Sequence, residues 1–448
     1  MTAVPASLNS PRTGGGYAAA PSAGTSVHLT PTVILVLVLL YTLLFTQIIG
    51  GAFVTHSDLD SALNETASRS NAVNQAFWFL LLAITVFVAV MRRTDPLQAG
   101  RALVPLFAYL AWSAITLPWA ADRHIALRRL LLQICIVGSI WLPIAMIRNA
   151  AHVRRIVLYV MFIIVLANVA VAIIFKPTEL GYAGLFGQKN GLGAAAALAF
   201  ITFLFSFTRR RSADNVISSI GLVLSLALLI ASRSKTSIIL SAAVPLVVCA
   251  VTVLTRNLRI RPAAVVLAAV GISCCAVVIA LSFGLHSDTI LHALFGGDTF
   301  TGRTDIWSFA WSEFLTRPFI GFGFNGFWGV GTNSAATYAN NAFIVDILQA
   351  HEGYLDVLLE TGLVGLAILI AFVLITLRNC SRVIRQRGGP FFLAMTLFFV
   401  LHNFFESSVF RRFEPVWVAF LIAAVAVGVE QQPKQRVGQR ISQERPAC

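Results

Sequence analysis

His351 stands at the end of a polar stretch and directly before a run of regularly spaced carboxylates. Glu352, Asp356 and Glu360 are spaced by four residues, which places them on one face of a helix. Acidic residues in the first turns of a helix are favoured by the helix dipole alone, and a single histidine is usually structural. Carboxylates that orient and polarise a histidine also make a general base that works near neutral pH. The pattern therefore makes His351 a candidate general base.

Arg303 is a candidate for binding a phosphate group. It precedes an apolar stripe with the i, i+4, i+7, i+8 spacing of a helix, formed by Trp307, Trp311, Phe314 and Leu315. Pro318 would end that helix, and its aromatic residues predict a position at the membrane interface. The helix dipole disfavours a cation at the N-terminus unless an anion is present, and free N–H groups with a guanidinium bind phosphate well. The alternative is that Arg303 pairs with Asp305 or Asp298.

The elements that must position these residues are membrane helices. The chain has 448 residues, of which 57% are hydrophobic and 12% charged, about half the charged fraction of a soluble domain. The apolar residues fall in blocks of about 20, the length of a helix that crosses a hydrocarbon core of ~30 Å. These blocks lack the alternating polarity of barrel strands. The sequence predicts an all-α, polytopic integral membrane protein and excludes a soluble globular domain.

Twelve membrane spans are predicted from the apolar blocks. They cover residues 32–53, 75–91, 102–119, 130–147, 156–175, 191–207, 216–231, 236–254, 262–285, 354–377, 390–405 and 415–429. Residues 1–31 have a composition that predicts a disordered cytoplasmic tail. Residues 32–429 form the predicted transmembrane domain, with a long extracytoplasmic loop at 286–353, and residues 430–448 form a cytoplasmic tail. A long loop in a compact membrane protein is usually functional.

The charges predict the topology. Alternate loops are rich in arginine, and basic loops collect on the cytoplasmic side, which places both termini in the cytoplasm and accounts for a net charge of +14 without nucleic acid. The opposite face nevertheless carries cations close to helix ends, namely Arg123, Arg128, Arg129, Lys189, Arg233, Lys235, Arg303, Arg411 and Arg412. Any one of them could pair with an acid or extend to lipid headgroups. Together they predict an anion-binding surface at the outer boundary of the membrane.

Several other chemistries are disfavoured. The cysteines form no predicted disulfide framework or metal site, and the D-x-D sequence at residues 58–60 is a weak metal motif. Residues 321–326 match G-x-G-x-x-G but follow no strand, so they predict a flexible aromatic turn rather than a dinucleotide site. The spans are almost free of charge, with Glu360, His402 and Glu406 near span ends, which argues against an ion-coupled transporter. No metal and no cofactor are expected.

Four stretches in order carry a resemblance to a known family. They are Phe186-Gly187-Gln188-Lys189-Asn190-Gly191, Ser232-Arg233-Ser234-Lys235-Thr236, Gly302-Arg303-Thr304-Asp305-Ile306-Trp307, and Ala350-His351-Glu352-Gly353-Tyr354-Leu355 running into Glu360-Thr361-Gly362. With the long loop before the histidine, the chain resembles the O-antigen ligase and Wzy-type polysaccharide polymerase superfamily. It looks most like exopolysaccharide polymerases of the ExoQ type.

The resemblance implies a helical membrane glycosyltransferase that performs an inverting, metal-independent transfer. The donor would be a glycan on a polyprenyl diphosphate at the outer face of the bacterial inner membrane. Arg233 and Arg303 are implied to hold the diphosphate, and His351 to activate the acceptor hydroxyl. Without Mg²⁺, fixed cations must stabilise the leaving group, and Lys235 and Lys189 could add to the two arginines.

The function implied is polymerisation of lipid-linked repeat units into exopolysaccharide. The expected partners are the lipid-linked oligosaccharide, the growing polysaccharide and the bilayer, with a flippase and a chain-length-regulating copolymerase as candidate partners. One alternative is an O-antigen ligase whose acceptor is lipid A core. A second is a lipid-linked oligosaccharide flippase or transporter, which would need a charged central cavity and usually internal repeats. Glu352 stands where many relatives have a smaller polar residue, so it could orient His351 or face solvent.

Overall fold

The computed structural model describes residues 23–45, 72–94, 100–175, 181–208, 212–257, 260–282, 303–330, 334–339, 344, 347–386, 388–411 and 414–430. Within these ranges the chain is almost entirely helical. Its α-helices are α1 Ala23–Leu40, α2 Ala72–Met91, α3 Val104–Thr116, α4 Arg123–Ile147, α5 Ala150–Ile174, α6 Lys189–Leu204, α7 Ala213–Ser232, α8 Lys235–Asn257, α9 Pro262–Ser282, α10 Arg303–Thr316, α11 Gly353–Val383, α12 Gly389–His402 and α13 Pro415–Glu430.

The all-α, polytopic architecture is confirmed. Among the described residues, seven helices (α2, α3, α4, α5, α7, α8 and α11) are long and apolar enough to cross a membrane. The shorter apolar helices α1, α6, α9, α12 and α13 coincide with the other predicted spans. Twelve crossings therefore remain a prediction. Helix α1 begins at Ala23, nine residues before the predicted span, and contains Pro31. Residues 1–22 of the predicted N-terminal tail lie outside the described residues, and the tail stays a prediction.

The centre of the bundle is formed by helices that are buried on all sides. Every residue of α13 from Pro415 to Val429 is buried, and Phe399 of α12 stacks on Phe420 of α13 with ring centroids 4.0 Å apart. Helix α6 is rich in glycine and alanine, and small residues allow membrane helices to approach closely. A Cβ on Gly193 would lie 2.4 Å from the Cβ of Ser234, so this glycine lets α6 meet the start of α8.

Helix α11 is interrupted at Gly362, where φ is +68° and ψ is −170°. The segment after α10 fills the interruption: the N–H of Leu363 donates to the carbonyl of Pro318 at 2.8 Å, and the N–H of Phe322 donates to the carbonyl of Leu359 at 2.8 Å. A Cβ at position 362 would lie 2.2 Å from a loop carbonyl oxygen, which only glycine avoids. Backbone groups freed at membrane depth must find such partners. These contacts fix the loop against the N-terminal part of α11.

Helix α10 confirms the predicted helix in the long loop, but its buried face differs from the predicted stripe. Ile306, Ala310 and Phe314 are buried and face the bundle, whereas Trp311 and Leu315 are 52% and 59% exposed. The buried residues recur every four positions, as one side of a helix does. The predicted turn at residues 321–326 is tightly packed rather than open, because Phe324 is fully buried against Phe410.

The bundle has two ends with different polar contacts. The arginine-rich loops predicted to share one face do meet there: Arg154 donates to the carbonyl of Ser206 at 3.2 Å, and Arg385 donates to the carbonyl of Thr255 at 2.8 Å. The residues of the four motif stretches that the structure describes lie at the other end. This grouping agrees with the predicted alternation of loops, while the side of the membrane that each end faces stays a prediction.

Candidate functional site

His351 occupies a tightly held turn between the long loop and α11. Its φ of +54° lies in the left-handed region, which is uncommon for a residue other than glycine. The backbone on both sides is fixed: the N–H of Ala350 donates to Asp356 Oδ1 at 3.0 Å, and the carbonyl of Ala350 accepts from Trp307 Nε1 at 2.9 Å. The N–H of Gly353 donates to a carbonyl after α12 at 2.8 Å. The imidazole is thus presented from a rigid backbone.

Glu406, in the segment between α12 and α13, connects the predicted site residues. Its Oε2 lies 3.0 Å from Nδ1 of His351, and its Oε1 accepts from Arg303 Nη2 at 2.7 Å and from Asn190 Nδ2 at 2.9 Å. Arg303 also donates to the carbonyl of Phe405 at 2.6 Å. The acid that pairs with Arg303 is therefore distant in sequence. The carboxylate joins three of the four motif stretches in one hydrogen-bonded cluster.

The charge state of Glu406 sets the tautomer of His351. Burial of the Glu406 carboxyl opposes ionisation, but the hydrogen bond from His351 and the charge of Arg303 hold its pKa at about 2. An ionised carboxylate only accepts hydrogen bonds, so the proton of His351 lies on Nδ1. Nε2 makes no hydrogen bond to any residue that the structure describes and carries the lone pair. An imidazole oriented in this way can accept a proton at Nε2.

The second motif stretch adjoins the same cluster. Gly193, one turn beyond Asn190 on α6, is in contact with Ser234, and one helical turn is roughly 5.4 Å along the axis. Ser234 lies between Arg233 and Lys235, so these two cations sit beside the α6 terminus that contacts Glu406. Arg233 ends α7 with φ +53°, and its side chain is exposed.

Three of the predicted cations begin helices at this end. Lys189, Lys235 and Arg303 are the first residues of α6, α8 and α10. The N-terminus of a helix presents free N–H groups and the positive end of its dipole, so each of these positions favours an anion. The side chains of Lys189 and Lys235 are half-buried. The arrangement gives this end of the bundle an electrostatic preference for negatively charged ligands.

Glu352 neither orients His351 nor faces freely into solvent. It is the N-cap of α11, and its carboxylate accepts from the N–H of Tyr354 at 3.3 Å and from that of Leu355. Such a cap satisfies backbone donors at the start of a helix. The orienting position that sequence adjacency suggested for Glu352 is held by Glu406.

A second ion pair, between Arg411 and Asp356, holds the segment that precedes His351. Arg411 donates to Asp356 Oδ2 at 2.7 Å and to the carbonyl of Leu348 at 3.2 Å. Oδ1 of the same aspartate accepts from Trp328 Nε1 at 2.8 Å. Sequence reasoning placed Asp356 in the acidic row and Arg411 among the outer cations, but nothing local indicated that they meet. Together they hold the segment that leads into His351.

Two cavities adjoin this turn. One has a volume of about 90 Å³ and is lined by Gln188, Asn190, His402, Glu406 and Ser407 among others. The second has a volume of about 220 Å³ and is lined by Arg129, Gln133, Asn325, Trp328 and Arg411 among others. Gln349 and Glu414 line both, so the two cavities are neighbours.

Among the described residues, no group of three His, Cys, Asp or Glu side chains could hold a metal ion. The D-x-D sequence at residues 58–60 lies outside those residues. The weak metal motif and the prediction that no metal is needed therefore both stand as predictions.

The comparison with known families agrees with this geometry. Residues 220–370 match a sequence model of the family described as O-antigen ligase. The matched region contains Arg233, Lys235, Arg303 and His351, whereas Lys189 and Glu406 lie outside it. A search of curated proteins found no match. The order of the motif stretches, their convergence on one cluster and this match support the O-antigen ligase and Wzy-type polymerase superfamily.

Proposed function

We propose that this protein polymerises lipid-linked oligosaccharide repeat units into an exopolysaccharide by inverting glycosyl transfer from polyprenyl diphosphate. The observation that carries the proposal is the hydrogen-bonded row Arg303–Glu406–His351, which ends in an open ring nitrogen. The match of residues 220–370 to the O-antigen ligase family supports glycosyl transfer from a lipid-linked glycan. The reaction would occur at the outer face of the inner membrane, with both termini cytoplasmic, and a flippase and a chain-length-regulating copolymerase would be partners.

In the transfer step, the acceptor hydroxyl oxygen bonds to the anomeric carbon of the donor sugar. The bond between that carbon and the phosphate oxygen breaks at the same time, and its electron pair leaves with the diphosphate. The hydroxyl proton passes to Nε2 of His351 and is then released to water. Glu406 keeps Nδ1 protonated and stabilises the imidazolium, as an orienting carboxylate does beside a catalytic histidine. Attack and departure on opposite faces of the sugar invert the anomeric centre.

The leaving diphosphate gains negative charge, and fixed cations stabilise it best when they need no reorganisation. Arg233, Lys235 and Lys189 are the exposed or half-buried cations beside the cluster. Arg303 contributes its charge while it remains paired with Glu406. This arrangement supplies the neutralisation that a divalent metal would otherwise provide, so transfer by the purified protein should persist in excess EDTA.

The second candidate is ligation of a completed glycan to lipid A core, which the description of the matching family favours. The two functions share the donor and the chemistry and differ in the acceptor. Glycan gels of a strain that lacks the protein separate them. Single repeat units left on lipid indicate a polymerase, and intact polymer without its lipid A anchor indicates a ligase. A normal glycan profile would contradict both.

The roles of His351 and Arg233 should separate in binding and transfer. His351→Ala and His351→Gln should each lower transfer by about 10²–10⁴-fold, because neither side chain accepts a proton at neutral pH. Both should keep donor binding, whereas Arg233→Ala should weaken it. Transfer rate, binding of the lipid-linked donor and membrane level are measured together on the purified variants.

His124→Gln is a matched control, because His124 is an exposed histidine in the first turn of α4 at the same end of the bundle. An active and well-folded His351→Gln variant would rule out general-base catalysis. Normal donor affinity in Arg233→Ala would remove the diphosphate role from that residue.

A further inference from the structure

The larger cavity, of about 220 Å³, has no role in the glycosyl-transfer steps proposed above. Gln349 lines it, and the amide nitrogen of Gln349 is 3.3 Å from Nδ1 of His351. The cavity therefore begins one side chain away from the proposed base.

The walls of this cavity are held in place by hydrogen bonds among themselves. Arg129 donates to the carbonyl of Asn325 at 2.8 Å, and Gln133 donates to the carbonyl of Phe410 at 2.6 Å. Trp328 is held by Asp356, as described above. Sites whose walls are already ordered lose less entropy when a ligand binds.

The chemistry of the lining distinguishes this cavity from the surroundings of Lys189 and Lys235. It combines guanidinium groups with the Glu414 carboxyl, primary amides and two aromatic rings, in Trp328 and Phe410. Mixed donors and acceptors beside aromatic faces suit the hydroxyl groups and apolar faces of a sugar ring. The smaller cavity is lined by Asn190, the sequence neighbour of Lys189, and so adjoins a cation that would hold the donor.

We infer that the larger cavity is the acceptor subsite and binds the terminal sugar of the glycan chain whose hydroxyl attacks the donor. The inference rests on the proposed function, because it assigns a place to the second substrate of that reaction. Donor and acceptor would then meet near Gln349 and Glu414, which line both cavities.

Leu132 offers a direct test, because it lines the larger cavity on α4 and its neighbour Leu131 does not. Leu132→Trp would fill the space, and Leu131→Trp makes the same change on a surface that is 39% exposed. The probe is the oligosaccharide repeat unit, released from its lipid by mild acid and offered as acceptor to the lipid-linked donor. Leu132→Trp should raise KM for this oligosaccharide by about 10-fold or more and leave KM for the donor unchanged. Leu131→Trp should match the wild type.

Leu132→Phe and Glu414→Gln keep the test decisive if Leu132→Trp fails to accumulate in the membrane. Phenylalanine fills part of the cavity, and glutamine keeps the shape of Glu414 while it removes the charge. Wild-type acceptor KM in all accumulating variants would overturn the acceptor subsite and leave the proposed function standing. A raised KM for the donor alone would assign the cavity to the donor and overturn the inference equally. Absence of any transfer by the wild-type protein would instead contradict the proposed function.

Discussion

The two ends of the helical bundle both carry arginine–carboxylate pairs, but they embed them differently. At the site end, the side chains of Arg303 and Glu406 are 15% and 12% exposed, and those of Arg411 and Asp356 are 20% and 6% exposed. At the other end, Arg155 is 54% exposed beside an aspartate that is 7% exposed.

The exposed and the buried arginine–carboxylate pairs should therefore contribute differently to stability. An exposed pair contributes little to stability. A buried pair fixes geometry, but it leaves a costly uncompensated charge when one partner is removed. The buried pairs therefore position His351 and its turn. At the opposite end of the bundle, substitution of a paired residue should cost little stability.

Among these variants, Glu406→Gln should cause the largest loss of transfer activity. The amide keeps the volume of the side chain, but it cannot hold the charge of Arg303 and can present a donor to Nδ1 of His351. The imidazole then loses its fixed tautomer, and transfer per folded molecule should fall by about 10²–10⁴-fold. The measurement is the transfer rate of purified protein with the lipid-linked donor.

Glu313→Gln is the matched control for Glu406→Gln, since it makes the same change in a half-exposed position on α10. A Glu406→Gln protein with near-normal transfer would show that the carboxylate does not orient the base.

Arg411→Ala should have the largest effect on stability. It leaves Asp356 and the carbonyl of Leu348 without their partner, and removal of one member of a buried pair costs about 3–5 kcal/mol. Thermal unfolding in detergent should show a clearly lower transition. The double variant Arg411→Ala with Asp356→Asn should recover part of the loss. An unchanged transition in the single variant would contradict the role of the pair.

Acid should lower the thermal stability of the protein as Glu406 becomes protonated. Its pKa is about 2 in the folded protein, against an ordinary value of 4.5. A depressed pKa contributes stability that is complete above the ordinary value and is lost as pH falls through the folded value. The groups that face it are His351, Arg303, His402 and Glu414. Unfolding temperature should therefore decline from about pH 5 to pH 3 in the wild type and decline less in Glu406→Gln. Parallel curves would contradict this assignment.

Glu414 should respond to pH in the opposite direction. Burial and the charge of Glu406 raise its pKa to about 7, although Arg411 opposes the shift. A raised carboxyl pKa contributes stability that is lost as pH rises from the ordinary value towards 7. Thermal stability should therefore be greatest at a pH between the ranges in which Glu406 and Glu414 titrate.

Arg155→Ala should have the smallest effect. The pair with Asp214 is half-exposed, and such pairs contribute less than about 1 kcal/mol. Thermal unfolding and transfer should both remain close to wild type. A loss as large as that of Arg411→Ala would erase the proposed distinction between the two ends.

The same contrast explains what the sequence could predict. The helices follow from apolar blocks, and Arg303 and His351 follow from local patterns in which each residue type has a recognisable chemistry. Glu406 could not be assigned from the sequence, because its partners lie 55, 103 and 216 residues away. The only signal was that Glu406 is an ionisable residue near the end of a predicted span. Glu352 was a candidate because it adjoins His351 in sequence, but the first turn of α11 binds its carboxylate.

The interruption of α11 at Gly362 has a consequence for how the chain is made. The carbonyl groups that complete it, in the segment after α10, are synthesised before α11 itself. As the ribosome delivers α11, the acceptors for its unpaired N–H groups already exist upstream, so the discontinuity need not wait for a later part of the chain. A break that depended on downstream residues would expose bare amides during insertion, which lipid does not solvate. The order of these two segments along the chain thus favours vectorial assembly of the end of the bundle that carries His351.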